Sequence, residues 1–424
     1  MRDKPQVPDV PQDQPVDPRI RNIVALVPIV IPLYAAALYG LKYLGGLDRS
    51  MRWLLGIFWG TQMVAALFTP VAWLSVLLAA VRTLWITALF VSGYTLKGSR
   101  YLKPLLFGEV ITLVIAFITT LIRHPTDFLH ARLEHPVYYS VSLGIVAMLG
   151  ILIVLSMKKM LYARLGLLLF LGTALLATGS RGAIVATLAG MLVMGLRNLK
   201  GRALKWTEVG GILVGLLVFV LPLTRYSSIF QRVDFANGRE DIWRDAWATF
   251  LAHFAGGVGP YQLGPYIQKS LLEHWTSTCT LFPPVEPFGP CPTWMEPLWS
   301  AGFIAHNLVL HALGETGFIG TIGILMLTAY TAYASWKSKD SLLAGLCAAY
   351  LTLSLVDLPT GVPGPHFGEV YYFAMGIAVS KMQQRFQNDR HRQNDRHSQN
   401  DRRNQNDQNN PPKKLREEKK HNST

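Results

Sequence analysis

The chain is cut into apolar runs of roughly 17 to 24 residues separated by short polar breaks, the length at which an α-helix crosses a bilayer. Such runs leave few alternatives, because in lipid every backbone N–H and C=O must be satisfied within the protein. Candidate spans are 23–41, 51–68, 70–93, 104–122, 137–157, 160–177, 182–197, 208–223, 317–335, 341–356 and 370–385. The expected fold is an all-α, polytopic integral membrane protein with about 11 transmembrane helices. Pro28 and Pro32 make the first run irregular, and a re-entrant piece there would raise the count to about 12. The opening 1–22 reads as a polar, Pro/Asp-rich arm and not as a secretory signal.

Orientation follows from lysine and arginine bias in short loops. Lys97, Arg100 and Lys103 share one loop, and Lys158, Lys159 and Arg164 another. Arg197, Lys200, Arg202 and Lys205 follow, then Lys337 and Lys339. They alternate with poorer loops, so the basic set is expected in the cytoplasm. The net charge of +14 is then largely a topology signal, and no nucleic-acid partner is needed to account for it. The expected organisation is an N-terminal arm 1–22, a transmembrane bundle 23–223, an external loop 224–316, further transmembrane helices 317–386 and a tail 387–424. The tail repeats "QNDRHR" and its variants with no apolar position, and is expected to be disordered. His391 and His397 fall in it and are read as part of a solvated repeat.

Cys279 and Cys291 bracket a Pro-rich excursion of the external loop, where an oxidising compartment would favour a disulfide. Cys347 lies in a span and reads as a small packing residue. The loop itself, about ninety residues, is far longer than a connection needs. "GREDIWRDAWATFLAHF" places Ile242, Trp243, Ala246, Trp247 and Phe250 at helical spacing and predicts an amphipathic helix against membrane or bundle. A second short helix is expected over about 305–314, with Gly314 and Gly317 permitting a bend before the next span.

On that second helix His311 lies about 140° from His306 and Glu315 about 180°, at 100° per residue. A His–Glu pair on one face is therefore not expected, and His311 and Glu315 read as ordinary interfacial side chains. Arg181, in "TGSRG", stands where one span ends and the next begins, with Ser180 and Gly182 beside it. A cation there either snorkels or faces a partner. Arg239 opens the amphipathic helix, where the helix dipole would prefer an acid; an ion pair with Asp241 or Asp245 is its plainest reading. Arg82 is placed mid-span and must pair or line a cavity.

"HNLVLHALGETGFIG" resembles the signature of the O-antigen ligase and polymerase superfamily, a His-Asn, nine residues, then Gly-x-x-Gly, filled here by His306, Asn307, Gly317 and Gly320. "TGSRG" and "GREDIW" resemble the two arginine motifs that precede it there, in the same order. The resemblance implies a GT-C-like glycosyltransferase that inverts the anomeric centre without a metal or cofactor, facing the periplasm from the bacterial inner membrane. His306 becomes the expected catalytic base and Arg181 and Arg239 the expected clamp on the donor diphosphate. Arg232 and Arg244 remain alternatives for the second clamp. Ser180, Asn307, Arg244 and Arg82 are expected supporting residues, Asn307 either orienting substrate or capping its helix.

The chemistry suits these residue types. A lipid-linked donor carries its sugar on a diphosphate, whose oxygens two guanidinium groups can grip with forked, charge-assisted hydrogen bonds. What then remains is removal of a proton from the attacking hydroxyl, a task for an imidazole near neutral pH. The expected donor is an undecaprenyl-diphosphate-linked glycan and the expected acceptor a lipid A core oligosaccharide. Polymerase or protein O-oligosaccharyltransferase activity differs only in acceptor. A secondary transporter is the alternative of another class, although no internal repeat of the kind common there is visible.

Overall fold

A computed structural model describes residues 17–157, 161–198, 239–267, 303–362 and 367–409. The expected span 208–223, the Cys279–Cys291 pair, Arg232 and most of the N-terminal arm lie outside those residues. The protein is an all-α, multi-pass membrane protein. Its helices are α1 (Pro18–Leu26), a 3₁₀ segment (Ile31–Gly46), α2 (Arg49–Leu67), α3 (Ala72–Leu96) and α4 (Leu105–Arg123). Then come α5 (Ser140–Ser156), α6 (Leu161–Ala177), α7 (Arg181–Asn198), α8 (Arg239–Ala252), α9 (Leu308–Lys337), α10 (Ser341–Leu353) and α11 (Gly368–Asn409). Among the described residues, three stretches are long and apolar enough to cross a membrane unaided, Ala72–Leu96, Ser99–Arg123 and Leu308–Lys337. Shorter apolar helices are Ser140–Ser156, Leu161–Ala177 and Ser341–Leu353.

Most expected spans within the described residues coincide with helices; one span and two other expectations are corrected. The run 23–41 is broken: Pro28 and Pro32 supply no N–H, so α1 stops and the chain continues as the 3₁₀ segment. The carbonyl freed at Pro28 accepts from the Thr112 hydroxyl at 3.1 Å and the Tyr138 hydroxyl at 2.8 Å. The short helix expected before residue 317 is continuous with its span as α9, which begins at Leu308. The repeat tail, expected to be disordered, continues α11 as far as Asn409. A helix already nucleated in the bundle adds residues without a new nucleation cost, and neither Gly nor Pro interrupts 377–409.

Helices meet closely where side chains are small. Gly93 of α3 lies against the Phe373 carbonyl of α11, and Gly376 of α11 against the Phe90 carbonyl of α3, so neither tolerates a Cβ without separation of the pair. The basic loops gather at one end. There Asp340 caps α10, accepting from Leu342 N at 3.0 Å, and receives Ser99 Oγ and Lys381 Nζ, each at 2.6 Å. Burial alone would raise the Asp340 carboxyl, but Lys381 and these hydrogen bonds outweigh it and hold it below the usual carboxylate range. Arg197 lies over the Trp336 ring at 4.6 Å on the same side. The loops 124–139, 178–180 and 354–362 mark the opposite end, tied by Leu133 N to Ala177 O and Leu308 N to Ser354 O, each at 2.9 Å.

The segment after α8 enters the bundle. α9 is kinked at Gly317, whose φ is 57°. The bonds a helix would make there, Phe318 N to Gly314 O and Ile319 N to Glu315 O, are exchanged for others. Phe318 N and Ile319 N donate to the Phe254 and Ala255 carbonyls at 2.8 and 3.2 Å. The Gly314 and Glu315 carbonyls accept from Val258 N and Gly259 N at 2.9 and 2.8 Å. Irregular backbone at membrane depth is thus satisfied by a neighbouring segment. Gly257, with φ 68°, lies so close to the Glu315 backbone that only glycine fits.

Candidate active site

Two clusters of Arg, His and carboxylate flank this kink, and they differ in access. The inner one forms around Glu315. Its Oε2 meets Arg82 Nη1 at 2.5 Å, while its Oε1 accepts from Tyr261 N at 2.6 Å and lies 3.2 Å from His311 Nε2. Arg82 Nη2 also donates to Gln62 Oε1 at 2.9 Å, and Gln62 Nε2 donates to the Gly320 carbonyl at 2.7 Å. The side chains of Arg82, Glu315 and His311 are 11%, 2% and 10% exposed. The cluster is closed on itself: a mid-span cation and an acid neutralise each other, with backbone and amide groups filling the remaining positions. The expected absence of a His–Glu pair is corrected here. His311 and Glu315 are four residues apart and share a face; the angular argument from His306 had not compared them with each other.

The outer cluster forms where α7, α8, α9 and the chain after α10 converge. Asp357, buried at the end of the α10 turn, lies with Oδ1 3.3 Å from His306 Nδ1 and Oδ2 3.9 Å from Arg239 Nη2. Arg239 Nη1 also donates to the Val356 carbonyl. Gly182 packs against Leu353 and Val356, which brings the first turn of α7, and with it Arg181, to the same place. Ser180, buried, accepts from Ala183 N at 3.4 Å and helps start that turn. His306 has a φ of 49°, an uncommon conformation for a residue with a side chain. Asn307 fixes it from the next position, capping α9 by accepting from Val309 N and Leu310 N at 3.0 Å each and donating to the Leu355 carbonyl at 3.0 Å. Of its two expected roles, the cap is the one seen.

A carboxylate can only accept, so the imidazole presents Nδ1–H to Asp357 and, when neutral, keeps the lone pair on Nε2. The His306 and Arg239 side chains remain 31% and 25% exposed, so an imidazole and a guanidinium stay partly accessible beside one carboxylate.

Other expected members are elsewhere. Arg82 belongs to the inner cluster. Arg244 is on the exposed face of α8, paired with Asp241 at 2.6 Å, and does not reach the site. The face expected to bury Trp247 with Phe250 is divided: Ala246 and Phe250 pack inward, while Trp247, Leu251 and Phe254 stay outward. Trp247, Phe250, Phe254 and Phe318 form a ring ladder with successive centroids 5.2, 5.1 and 5.5 Å apart. Asp357 is the residue that sequence reasoning missed. Its signal, an acid followed by Leu-Pro at the end of an apolar run in "LVDLPT", is also that of an ordinary helix end.

No curated protein matches the chain. Residues 165–325 match a family model described as O-Antigen ligase. The match includes Arg181, Arg239 and His306, while Asp357 lies beyond it. The matched segment carries those three residues in order and is similar to the O-antigen ligase family.

Proposed function

We propose that the protein is an O-antigen ligase, transferring glycan from undecaprenyl diphosphate to a lipid A core oligosaccharide at the periplasmic face of the bacterial inner membrane. The observation that carries this reading is the shared Asp357 carboxylate, which orients His306 and lies beside Arg239, with the Arg181 turn packed next to it. Arg181 and Arg239 hold the donor diphosphate, their fixed charge neutralising its oxygens. His306 Nε2 takes the proton of the acceptor hydroxyl as its oxygen bonds to the anomeric carbon. The bond from that carbon to the diphosphate breaks, and undecaprenyl diphosphate leaves with the electron pair. Asp357 keeps the ring in the required tautomer and stabilises the imidazolium that forms. The basic loops at the opposite end of the bundle support the orientation.

The acceptor separates ligase from polymerase, and the lipopolysaccharide pattern of a strain lacking this protein separates them experimentally. Loss of every capped form supports the ligase. Survival of molecules capped with a single repeat unit makes the protein a polymerase, and an unchanged pattern removes both readings.

A further inference from the structure

At the basic end, far from His306, residues 17–27, the 3₁₀ segment and the facing parts of α3 and α4 enclose a cavity of about 650 Å³. Val27, Leu33, Leu89, Leu96, Leu105 and Phe373 line it with apolar surface. Ser92 and Thr95 add hydroxyl groups and Asp17 a carboxylate. Four tyrosines complete the wall, Tyr34, Tyr39, Tyr43 and Tyr101, and cations sit on the rings of the last three. Lys42 Nζ is 3.5 Å from the Tyr39 centroid and 4.7 Å from that of Tyr43, and Arg100 Cζ is 5.2 Å from that of Tyr101. The Asp17 carboxylate is turned to its own helix, accepting from Arg19 N at 2.8 Å.

An apolar hollow bordered by cations, at the end of the bundle where the basic loops gather, matches a molecule with a hydrocarbon chain and an anionic head. Its volume falls within the roughly 300–1,000 Å³ of ligand pockets. Basic pockets between transmembrane helices are suited to anionic headgroups. We propose that the cavity holds an acyl chain of an anionic membrane phospholipid, with the phosphate against Lys42 and Arg100. The broken first segment then has a purpose that a straight span would not serve: α1 packs on α4 and the 3₁₀ segment on α3, and the hollow lies between them. Neither Lys42 nor Arg100 belongs to the His306 cluster, so the lipid site stands independently of the proposed transferase.

The test uses the full-length protein in detergent, offered an equimolar mixture of phosphatidylglycerol and phosphatidylcholine, with retained lipid read by native mass spectrometry. The expected result is a preference for phosphatidylglycerol of about tenfold, the scale set by two basic side chains near a lipid phosphate. Lys42→Gln with Arg100→Gln should erase the preference, and Lys42→Gln alone should reduce it about threefold if the double variant does not fold. Ala36→Trp, which fills the hollow without touching the cations, should lower retention of both lipids with the elution profile unchanged. Equal retention of the two lipids by the unaltered protein overturns the proposal, as does a preference that survives loss of both charges. Retention undiminished by Ala36→Trp also overturns it, and so does displacement of phosphatidylglycerol by an isoprenyl phosphate.

Discussion

The Arg82–Glu315–His311 and Arg239–Asp357–His306 clusters use the same three kinds of side chain, yet one is closed and the other open. In the first, every partner faces inward and the histidine is 10% exposed; in the second the histidine is 31% exposed and, among the described residues, only its Nδ1 lies against a carboxylate. Composition alone does not make a site. A buried triad that satisfies itself fixes helices, whereas one with a free edge can meet a substrate.

The largest effect should come from breaking the closed cluster. Arg82→Ala leaves Glu315 buried without its fixed countercharge, a loss of about 3–5 kcal/mol that thermal unfolding in detergent would register as poor yield and a lowered midpoint. Arg82→Met with Glu315→Leu should recover much of it, because a well-packed apolar pair can replace a buried ion pair. If Arg82→Ala is as stable as the parent, the contrast between the clusters fails. Arg181→Ala should abolish transfer while the protein still reaches the membrane, and lysine should rescue it only in part, since a point charge lacks the fork. Full turnover by the alanine variant removes the clamp.

In the open cluster, His306→Ala should slow transfer about a hundredfold or more with donor binding nearly unchanged, the range for loss of a general base. Near-parental turnover by His306→Gln in purified enzyme would end that role, leaving only an anchoring hydrogen bond. Added EDTA should change neither background. His311→Ala should instead lower stability, because it removes a partner of Glu315. Asp357→Asn should cost about tenfold in turnover and leave donor affinity in place, since the ring keeps its position but loses support for its cation. The smallest effect is expected from truncation after residue 386, which removes a polar extension at the end opposite His306. Specific activity measured at equal protein level should not fall.

What could be read from the sequence was what depends on nearest neighbours. Apolar runs located most helices, because bilayer thickness and internal hydrogen bonding leave little else for such a run to do. Gly317 announced its bend, and the motifs singled out Arg181, Arg239 and His306 as candidates. Long-range pairing was not: Arg82 and Glu315 are 233 residues apart, and nothing local to either names the other. Asp357 was hidden for the same reason, its partners arriving from two helices remote in sequence. The helical tail was misjudged because composition reports whether a segment can nucleate, not whether a preceding helix has already done so.

The exchange of backbone partners at Gly317 carries a consequence for the order of synthesis. Residues 254–259 emerge before α9, yet the Phe254 and Ala255 carbonyls and the Val258 and Gly259 amides have their partners at the positions where α9 is interrupted. Until α9 has been made, that stretch has no place inside the membrane and must wait at the water boundary. Once it docks, two donors on each side are committed, and withdrawing it would leave four peptide groups bare in a medium without water. That docking step is therefore late and, once taken, hard to reverse.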